Sequence, residues 1–254
     1  MPILRLESHL DGYKLRAQAE DLHEMAARPN KKPLTEFVNR QILNALQPDS
    51  NDFLVDIGCG DATLQRMASA TRSVGIVASQ EEQQRLQSAY PQLQFIASLA
   101  QTLPLETRSA TKVVCNAVLH YLFTMEDVKA ALSEIARIAR PGALIWIGEI
   151  PTLDEYEAQG MYRGTSMVGF LWHLLRHNGL RSFLGMIRRL IMATLGNECI
   201  VLNSARHSYA EPETMIRLAE NSGLRLKSQF RHKEINERGE IMDSRFRYDY
   251  IFTV

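Results

Sequence analysis

The residues with the clearest chemical potential lie between Asp56 and Asp61, where two glycines flank a cysteine. Gly58 and Gly60 carry no Cβ, so the backbone can turn sharply there and a ligand can approach it closely. The segment Phe53–Ile57, which is apolar except for Asp56, precedes this turn, and Asp61 begins a helical spacing of apolar residues. A helix that starts at a turn presents unpaired backbone N–H groups. The stretch therefore predicts a buried strand, a glycine turn and a helix start that form a binding edge.

The spacing of the glycines bears on the kind of ligand. The dinucleotide fingerprint requires a third glycine three residues after the second, and this chain has Thr63 at that position. An NAD-dependent oxidoreductase is therefore the least favoured enzyme class for this motif.

Candidate acid–base residues lie at the ends of later apolar segments. His120 and Tyr121 follow the strand predicted over Lys112–Asn116, Glu149 ends the next strand, and His207 precedes the last predicted helix. An imidazole titrates near neutral pH, so His120 is the first candidate for a general base. Glu149 and His207 are weaker candidates, since an ordinary polar loop residue is the preferred interpretation of each.

Alternating apolar and helical patterns predict the elements that position these residues. Strands are expected at 53–57, 73–77, 93–96, 112–116, 143–149, 224–227 and 246–252, and the helices among them at 61–70, 81–89, 124–140 and from Pro212 to about residue 221. Ser79 with Glu82 has the spacing of a capping box, and the Arg140-Pro141-Gly142 turn ends a helix. The order predicts an α/β, Rossmann-like doubly wound sheet of seven strands with the last antiparallel, and ligand bound at the carboxyl ends.

Several blocks of this pattern resemble the class I S-adenosylmethionine-dependent methyltransferases of the small-molecule type. The string Val55–Gly60 resembles their first motif, and the blocks Leu103-Pro104, Leu119–Leu122 and Arg140-Pro141-Gly142 follow in the family's order and spacing. The resemblance implies S-adenosylmethionine as cofactor, S-adenosylhomocysteine as product, and methyl transfer to an O or N atom of a small molecule.

The same resemblance implies which residues meet the cofactor, and it also exposes departures from the family. The implied contacts lie at the ends of the first four strands: Asp56, Gly58, Cys59, Gly60, Val77, Ala78, Ser98, Leu99, Asn116 and Tyr121. The family carries acids where this chain has Val77, Leu99 and Lys112. Ser79, Gln80 or Glu81 could supply the missing acceptors. The alternative is a methyltransferase-like binding module that has lost the cofactor-binding acids.

The resemblance and the patterns together divide the chain into three parts. Residues 1–50 are expected to form an N-terminal helical lid from helices near 15–27 and 34–46, with Tyr13 as a candidate substrate contact. Residues 51–150 and 205–254 are expected to form the cofactor-binding domain, and 151–204 a helical cap insertion with two amphipathic helices joined near Asn178-Gly179.

The predicted cap has an unusual charge distribution. No acid occurs from residue 158 to 197, while five arginines lie among aliphatic residues. The preferred interpretation is a cap packed on the sheet with a solvated basic rim. A surface for an anionic or amphiphilic substrate, with Trp172, Arg176 and Arg181 as contacts, stays open, and so does contact with a membrane surface. Nucleic acid is not expected, because few aromatic residues accompany the basic ones.

Composition sets the remaining bounds. The 254 residues carry 29 basic and 29 acidic side chains, so the overall charge predicts no polyanionic partner. Three widely spaced cysteines favour a reduced cytoplasmic protein, and no spacing typical of a metal site appears. The first residues include charged side chains where a secretory signal needs an apolar run, and no stretch is apolar enough to span a membrane.

Overall fold

A single seven-stranded sheet organises the molecule. The computed structural model describes residues 4–5, 17–19, 21–25, 32–70, 72–122, 124–152, 167–195, 201–202, 210–235 and 239–254. The strands are β1 (Phe53–Ile57), β2 (Arg72–Val77), β3 (Gln94–Ala97), β4 (Ala110–Asn116), β5 (Ala139–Pro151), β6 (Arg225–Ile235) and β7 (Ile241–Thr253). Their spatial order is β3-β2-β1-β4-β5-β7-β6, and β7 is antiparallel to both of its neighbours while the other pairs are parallel. The predicted fold class is confirmed.

Helices cover both faces of this sheet. They are α1 (Lys32–Leu46), α2 (Thr63–Met67), α3 (Gln80–Ala89), α4 (Met125–Ile138), α5 (Met167–Thr194) and α6 (Pro212–Asn221). On one face, α1 and α2 bury Val38, Ile42 and Leu64 against Leu54 and Trp146. On the other face, side chains of α4 and α6 pack against the alternate residues of β1, β4, β5 and β7. Because β1 and β4 are covered on both faces, a ligand can reach them only at the end of the sheet where their carboxyl ends lie.

The helix after the glycine turn is shorter than predicted. The apolar spacing indicated a helix from Asp61 to about residue 70, but α2 spans only Thr63–Met67. Ala62 precedes it in the left-handed region at φ 61°, and Ala68 after it is extended at φ −72° and ψ 145°. The chain thus leaves the helix after little more than one turn and enters β2 at Arg72.

The fifth strand begins earlier than predicted. The Arg140-Pro141-Gly142 turn was expected between the helix and the strand, but β5 starts at Ala139, directly after α4 ends. Ala139 is paired with Ala110, and a shift in register follows before Lys112 is paired with Leu144. The left-handed Gly142 lies in this irregular stretch, so the expected turn is accommodated inside the strand.

The flanking segments are described in part. Of the helix expected near 15–27, the structure describes a short helical segment, Leu22–Met25, while α1 agrees with the second predicted helix. Leu4–Arg5 pairs in parallel with Val201–Leu202. The expected break near Asn178-Gly179 is confirmed, because α5 is kinked at Gly179, where φ is 81°. Among the helices of the described ranges, none is long and apolar enough to cross a membrane.

Candidate active site

A cavity of about 440 Å³ lies at the carboxyl ends of β1, β2, β4 and β5. One side, here called the glycine-turn half, is lined by Asp56, Gly58, Cys59, Gly60, Asp61, Val77, Ala78, Glu82, Ser98 and Leu99. The other side, here called the hairpin half, is lined by Asn116, His120, Tyr121, Glu149, His232, Glu234 and Arg247. Met25, Leu34, Thr35, Val38 and Asn39 complete the wall from the helices that precede β1. The predicted binding edge thus shares one cavity with His120 and Glu149, two of the three predicted acid–base residues.

The glycine turn brings backbone rather than side chains to the cavity. The N–H groups of Gly58 and Cys59 both donate to the carbonyl oxygen of Ile76, at 2.8 and 3.1 Å, which fixes the turn to β2. Gly58 has a φ of 73°, and a Cβ at this position would collide with the side chain of Val118. Only glycine therefore fits, and the turn forms a cradle that a flat or extended ligand can approach closely.

Three carboxyl groups give the glycine-turn half its electrostatic character. Asp56, Asp61 and Glu82 are all buried and all line the cavity. Burial, together with the nearby charge of Asp61, raises the pKa of Asp56 to about 7. Buried carboxylates of this kind favour a cationic ligand, because a positive charge compensates for their lost hydration. A sulfonium or an ammonium group fits this half.

The structure locates the acid nearest to the end of β2. Ser79 and Glu82 form the predicted capping box of α3: the Ser79 hydroxyl accepts the Glu82 N–H, and the Glu82 carboxylate accepts the Ser79 N–H, each at 3.2 Å. Glu82 lines the cavity beside Val77, whereas the exposed Gln80 and Glu81 do not line it. The family carries an acid at the position of Val77. In this chain the carboxylate near the end of β2 is that of Glu82.

Lys112 has no bearing on the cavity. It lies near the start of β4, and its Nζ is 3.8 Å from Asp52 Oδ2. The carboxyl end of the strand is Asn116, which does line the cavity. The departure at Lys112 therefore does not weigh against cofactor binding, whereas those at Val77 and Leu99 lie in the cavity wall.

In the hairpin half, Glu149 is fixed from three directions. Its Oε1 accepts a hydrogen bond from Asn116 Nδ2 at 2.9 Å, and its Oε2 accepts one from an Arg247 guanidinium nitrogen at 3.1 Å. Its backbone N–H donates to Asp249 Oδ1 at 2.8 Å. Glu149 also has a φ of 58°, a conformation that costs a non-glycine residue free energy. With both oxygens occupied, Glu149 is better suited to positioning other groups than to taking a proton.

A second buried pair lies beside this network. His232 Nδ1 is 2.9 Å from Asp249 Oδ2 and 3.2 Å from Asp249 Oδ1, and both residues are buried. Burial alone would lower the pKa of His232, but the hydrogen bond to Asp249 and the charges of Glu149 and Asp249 outweigh it, so the pKa is raised. With Nδ1 held by Asp249, the ring nitrogen left for the cavity is Nε2.

Strand irregularities direct both groups toward the cavity. Glu149 lies where the pairing of β5 with β7 shifts register between Ile147 and Ile150. His232 lies at a similar shift between Arg231 and Lys233, where β6 pairs with β7. Bulges of this kind redirect side chains near binding sites, and they reverse the alternation that an undisturbed strand would show.

The remaining predicted site residues fall into two groups. His120 and Tyr121 belong to a short 3-10 helix after β4 and line the cavity, with ring centroids 4.1 Å apart. Trp172, Arg176 and Arg181 are exposed on α5 and do not line it, so their part in substrate binding stays a prediction. Tyr13 and His207 lie outside the described residues.

Sequence reasoning missed six charged or titratable groups at or beside the cavity. They are Asp61, Glu82, His232, Glu234, Arg247 and Asp249. Glu82 was recognised only as part of a capping box. Arg247 and Asp249 contact a residue about one hundred positions earlier, a pairing that no local pattern reports. The single signal available in the sequence was His232, a histidine in the otherwise largely polar segment that forms β6.

Neither thiol nor metal chemistry is indicated at this cavity. Burial raises the pKa of the Cys59 thiol well above its ordinary value, with further contributions from Asp56 and Glu82, and burial likewise raises that of Cys115. A neutral thiol is a poor nucleophile. Within the described part of the chain, no group of three or more His, Cys, Asp or Glu side chains has the arrangement of a metal site.

Comparisons with known proteins agree with this geometry. Residues 55–147 match the family model of a methyltransferase domain. An O-methyltransferase from Pyrenophora dematioidea is 30% identical over 131 residues, which cover 48% of this chain and 47% of that protein. The chain thus spans about half the length of the curated relative that it matches.

Solved structures share the fold at low sequence identity. The N-methyltransferase NodS from Bradyrhizobium japonicum, solved with S-adenosyl-L-homocysteine, has a TM-score of 0.58 at 12% identity, covering 96% of this chain and 97% of that one. A chain from the complex of the Haloferax volcanii Trm112 methyltransferase activator with a methyltransferase has a TM-score of 0.63 at 13% identity, covering 98% and 99%. The [4+2]-cyclase SpnF has a TM-score of 0.59 at 14% identity, covering 91% and 77%.

Proposed function

We propose that this chain, which contains a methyltransferase domain of the class I fold, transfers a methyl group from S-adenosylmethionine to an oxygen or nitrogen atom of a small molecule. The observation that carries the proposal is the division of one cavity into an acidic glycine-turn half and a hairpin half with a buried histidine. The first half suits a cationic cofactor, and the second supplies a group that can take a proton from an acceptor.

The residues of the glycine-turn half fit this cofactor. Gly58 to Gly60 leave room for the methionine portion, and the carboxyl groups of Asp56 and Asp61 lie where positive charge would be compensated. Glu82 can accept hydrogen bonds from ribose hydroxyls in place of the acid missing at Val77. Ala78, Ser98 and Leu99 would border the adenine, with Asn116 and Tyr121 at the boundary with the hairpin half.

The cofactor supplies an electrophilic methyl group, and the protein's contribution is alignment and proton transfer. Alignment of two reactants is worth about 7 to 11 kcal/mol when the geometry is near-attack. For a hydroxyl acceptor, Nε2 of His232 would accept the proton as the oxygen gains the methyl group. Asp249 holds the ring through Nδ1, and this favours the tautomer with a free Nε2. His120 is the alternative base.

The acceptor is proposed to be a small molecule with an anionic or polar group near its reacting atom. Arg247 reaches the cavity wall while bonded to Glu149, so it can orient such a group without leaving an unpaired charge. Apolar contacts from Leu34 and Val38 would hold the rest of the acceptor.

The buried thiols of Cys59 and Cys115 support a reducing, cytoplasmic location.

Calorimetry with S-adenosylmethionine and S-adenosylhomocysteine tests the proposal directly. We expect dissociation constants in the micromolar range for the intact chain and at least a tenfold loss for Gly58→Ala, whose new Cβ would meet Val118. Gly223→Ala is the matched control, because Gly223 also has a positive φ but lies outside the cavity wall. Absence of heat at millimolar ligand would refute methyl transfer and favour a binding module without cofactor, the alternative supported by Val77 and Leu99.

A further inference from the structure

The helix α5 presents a surface that the cavity does not use. It runs from Met167 to Thr194 with a kink at Gly179, and none of its described side chains is buried. The segment from residue 158 to 197 contains no aspartate or glutamate. The helix itself carries four arginines, Arg176, Arg181, Arg188 and Arg189. The helix therefore carries basic side chains without acidic ones, and its described side chains are half-buried or exposed.

The first part of α5 carries an exposed apolar stripe. Val168 and Trp172 are four residues apart, hence neighbours on one helix face, and both are more than half exposed. Arg176 follows one turn later and continues the same face. Other apolar side chains of this part, including Phe170 and Leu174, are half-buried. Val168 and Trp172 are therefore exposed to solvent next to the guanidinium of Arg176.

The part after the kink repeats this arrangement. Leu180, Leu184, Ile191 and Leu195, the last of which directly follows the end of the helix, are spaced by four, seven and four residues and are each more than half exposed. Arg181 is three residues before Leu184, and Arg188 is four residues after it, so both border the stripe. These side chains and those of the first part, namely Val168, Trp172, Leu180, Leu184, Ile191 and Leu195, are here called the α5 stripe.

We propose that α5 binds an anionic membrane surface, with the α5 stripe at the boundary of the acyl chains and the arginines on lipid phosphates. Helices that lie in the interface combine an apolar face bearing Trp or Leu with a basic border. Arginine can keep its charge at the headgroups while its stem covers apolar surface. Tryptophan is favoured at this depth, because its ring is apolar and its N–H is polar.

Charge complementarity favours lipid over a second copy of the chain. Two α5 helices packed stripe to stripe would bring Arg181 and Arg188 of both copies together, and no acid from 158 to 197 is present to compensate them. Anionic headgroups supply the missing negative charge at every position along the helix. A spanning arrangement is not implied, because α5 is not apolar enough to cross a membrane.

Tryptophan fluorescence with vesicles tests the proposal on the intact chain. The protein has two tryptophans, of which Trp146 is 1% exposed and Trp172 is 65% exposed. Vesicles with a third of their lipid as phosphatidylglycerol should shift the emission to shorter wavelength and co-sediment the protein. Pure phosphatidylcholine vesicles should do so weakly, and added salt should reduce binding. Trp172→Phe should remove the spectral shift while leaving co-sedimentation detectable.

Paired variants separate the α5 stripe from exposed apolar residues in general. Leu184→Ser with Ile191→Ser should weaken vesicle binding at least tenfold. Ile241→Ser with Met242→Ser, which removes two exposed apolar side chains from β7, should leave it unchanged. Circular dichroism and S-adenosylhomocysteine affinity, both expected to be unaltered in either variant, report whether the chain is folded.

A second pair isolates the charge. Arg181→Gln with Arg188→Gln should weaken binding to anionic vesicles by roughly fivefold for each arginine at low salt. Arg217→Gln with Arg225→Gln, on α6 and β6, is the control. The proposal fails if the intact chain does not bind phosphatidylglycerol vesicles at low salt. It also fails if sedimentation shows a dimer that Leu184→Ser with Ile191→Ser dissociates and that binds no vesicles, which would mean that a second copy covers the α5 stripe.

Discussion

Asp56 combines an unfavourable burial with a position beside the glycine turn. Burial raises its pKa to about 7, so the folded protein holds a proton that the unfolded chain releases above the ordinary value of 3.8. Stability therefore falls as the pH rises from that value to about 7 and is constant above it. A cationic ligand would reverse the effect, because it favours the charged carboxylate.

We expect Asp56→Asn to stabilise the free protein at pH 8 and to leave its stability at pH 4 nearly unchanged. The uncharged amide avoids the cost of burying a carboxylate. In denaturant titrations, the gain in the free energy of unfolding relative to the wild type should therefore be a few kcal/mol larger at pH 8 than at pH 4. The same substitution should weaken the binding of S-adenosylmethionine. In the wild type this affinity should fall roughly tenfold from pH 8 to pH 6, because Asp56 must then lose a proton on binding; a pH-independent affinity in the wild type would contradict this assignment.

His232 and Asp249 should leave a signature in the pH dependence of turnover. The pKa of His232 is raised above 6.5, and its base function requires the neutral ring, so kcat/KM should rise with pH through a limb above 6.5. Asp249→Asn should move this limb to lower pH and reduce the plateau, because it removes the charge that raises the pKa.

His120→Ala is the comparison for that profile. It should lower turnover without moving the acidic limb, since the limb belongs to the His232–Asp249 pair. If His232→Ala keeps the wild-type plateau and limb, the base assignment is wrong and His120 becomes the candidate.

At the scale of elements, two capping boxes of the same type differ in their surroundings. Ser79 with Glu82 begins α3 at the cavity and is buried, while Thr124 with Asp127 begins α4 at a less enclosed site. Each acid interacts with the positive end of its helix and closes the N-cap. Only Glu82 lines the cavity.

We expect Glu82→Gln and Asp127→Asn to have similar costs in stability, about 1 kcal/mol or less each, and different effects on binding. Glu82→Gln should weaken S-adenosylhomocysteine binding tenfold or more, because charge-assisted hydrogen bonds are worth about 1.5 to 3 kcal/mol. Asp127→Asn should leave the affinity unchanged. Equal affinities in the two variants would show that Glu82 has only its capping role.

The sequence predicted the elements that depend on local rules. The turn at Gly58, the capping box at Ser79 and the break at Gly179 each follow from residue types within a few positions. Two boundaries were wrong for conformational reasons. Ala62 has a left-handed φ, which an alanine does not predict. Ala139 pairs with a neighbouring strand, so β5 begins before the turn that Pro141 and Gly142 predict.

The hairpin half could not be predicted in the same way. Its contacts join Glu149 to Arg247 and Asp249 across the antiparallel pairing of β5 and β7. Bulges at Glu149 and His232 break the alternation from which the inward side of a strand is inferred. The sequence thus identified the half of the cavity built from one local motif and missed most of the half built from distant strands.

At the scale of the whole molecule, the cavity joins nearly every strand of the sheet. Its wall takes residues from β1, β2, β4, β5, β6 and β7 and from the helices before β1. A ligand that fills it would contact strands from β2, which is next to one end of the strand order, to β6 at the other end, through Val77 and His232. Binding should therefore stabilise the sheet as one unit.

Thermal unfolding offers a measure of this coupling. At a ligand concentration of about 100 times Kd, binding contributes about 2.7 kcal/mol, which for a chain of this size raises Tm by roughly 5 to 10 °C. We expect S-adenosylhomocysteine to shift a single calorimetric transition by that amount, and less in Glu82→Gln at the same concentration. Only a sheet that unfolds as one unit transmits the stabilisation from the glycine turn to the hairpin. If the ligand instead divides the calorimetric transition into two, the β6–β7 hairpin unfolds independently of β1 and β2.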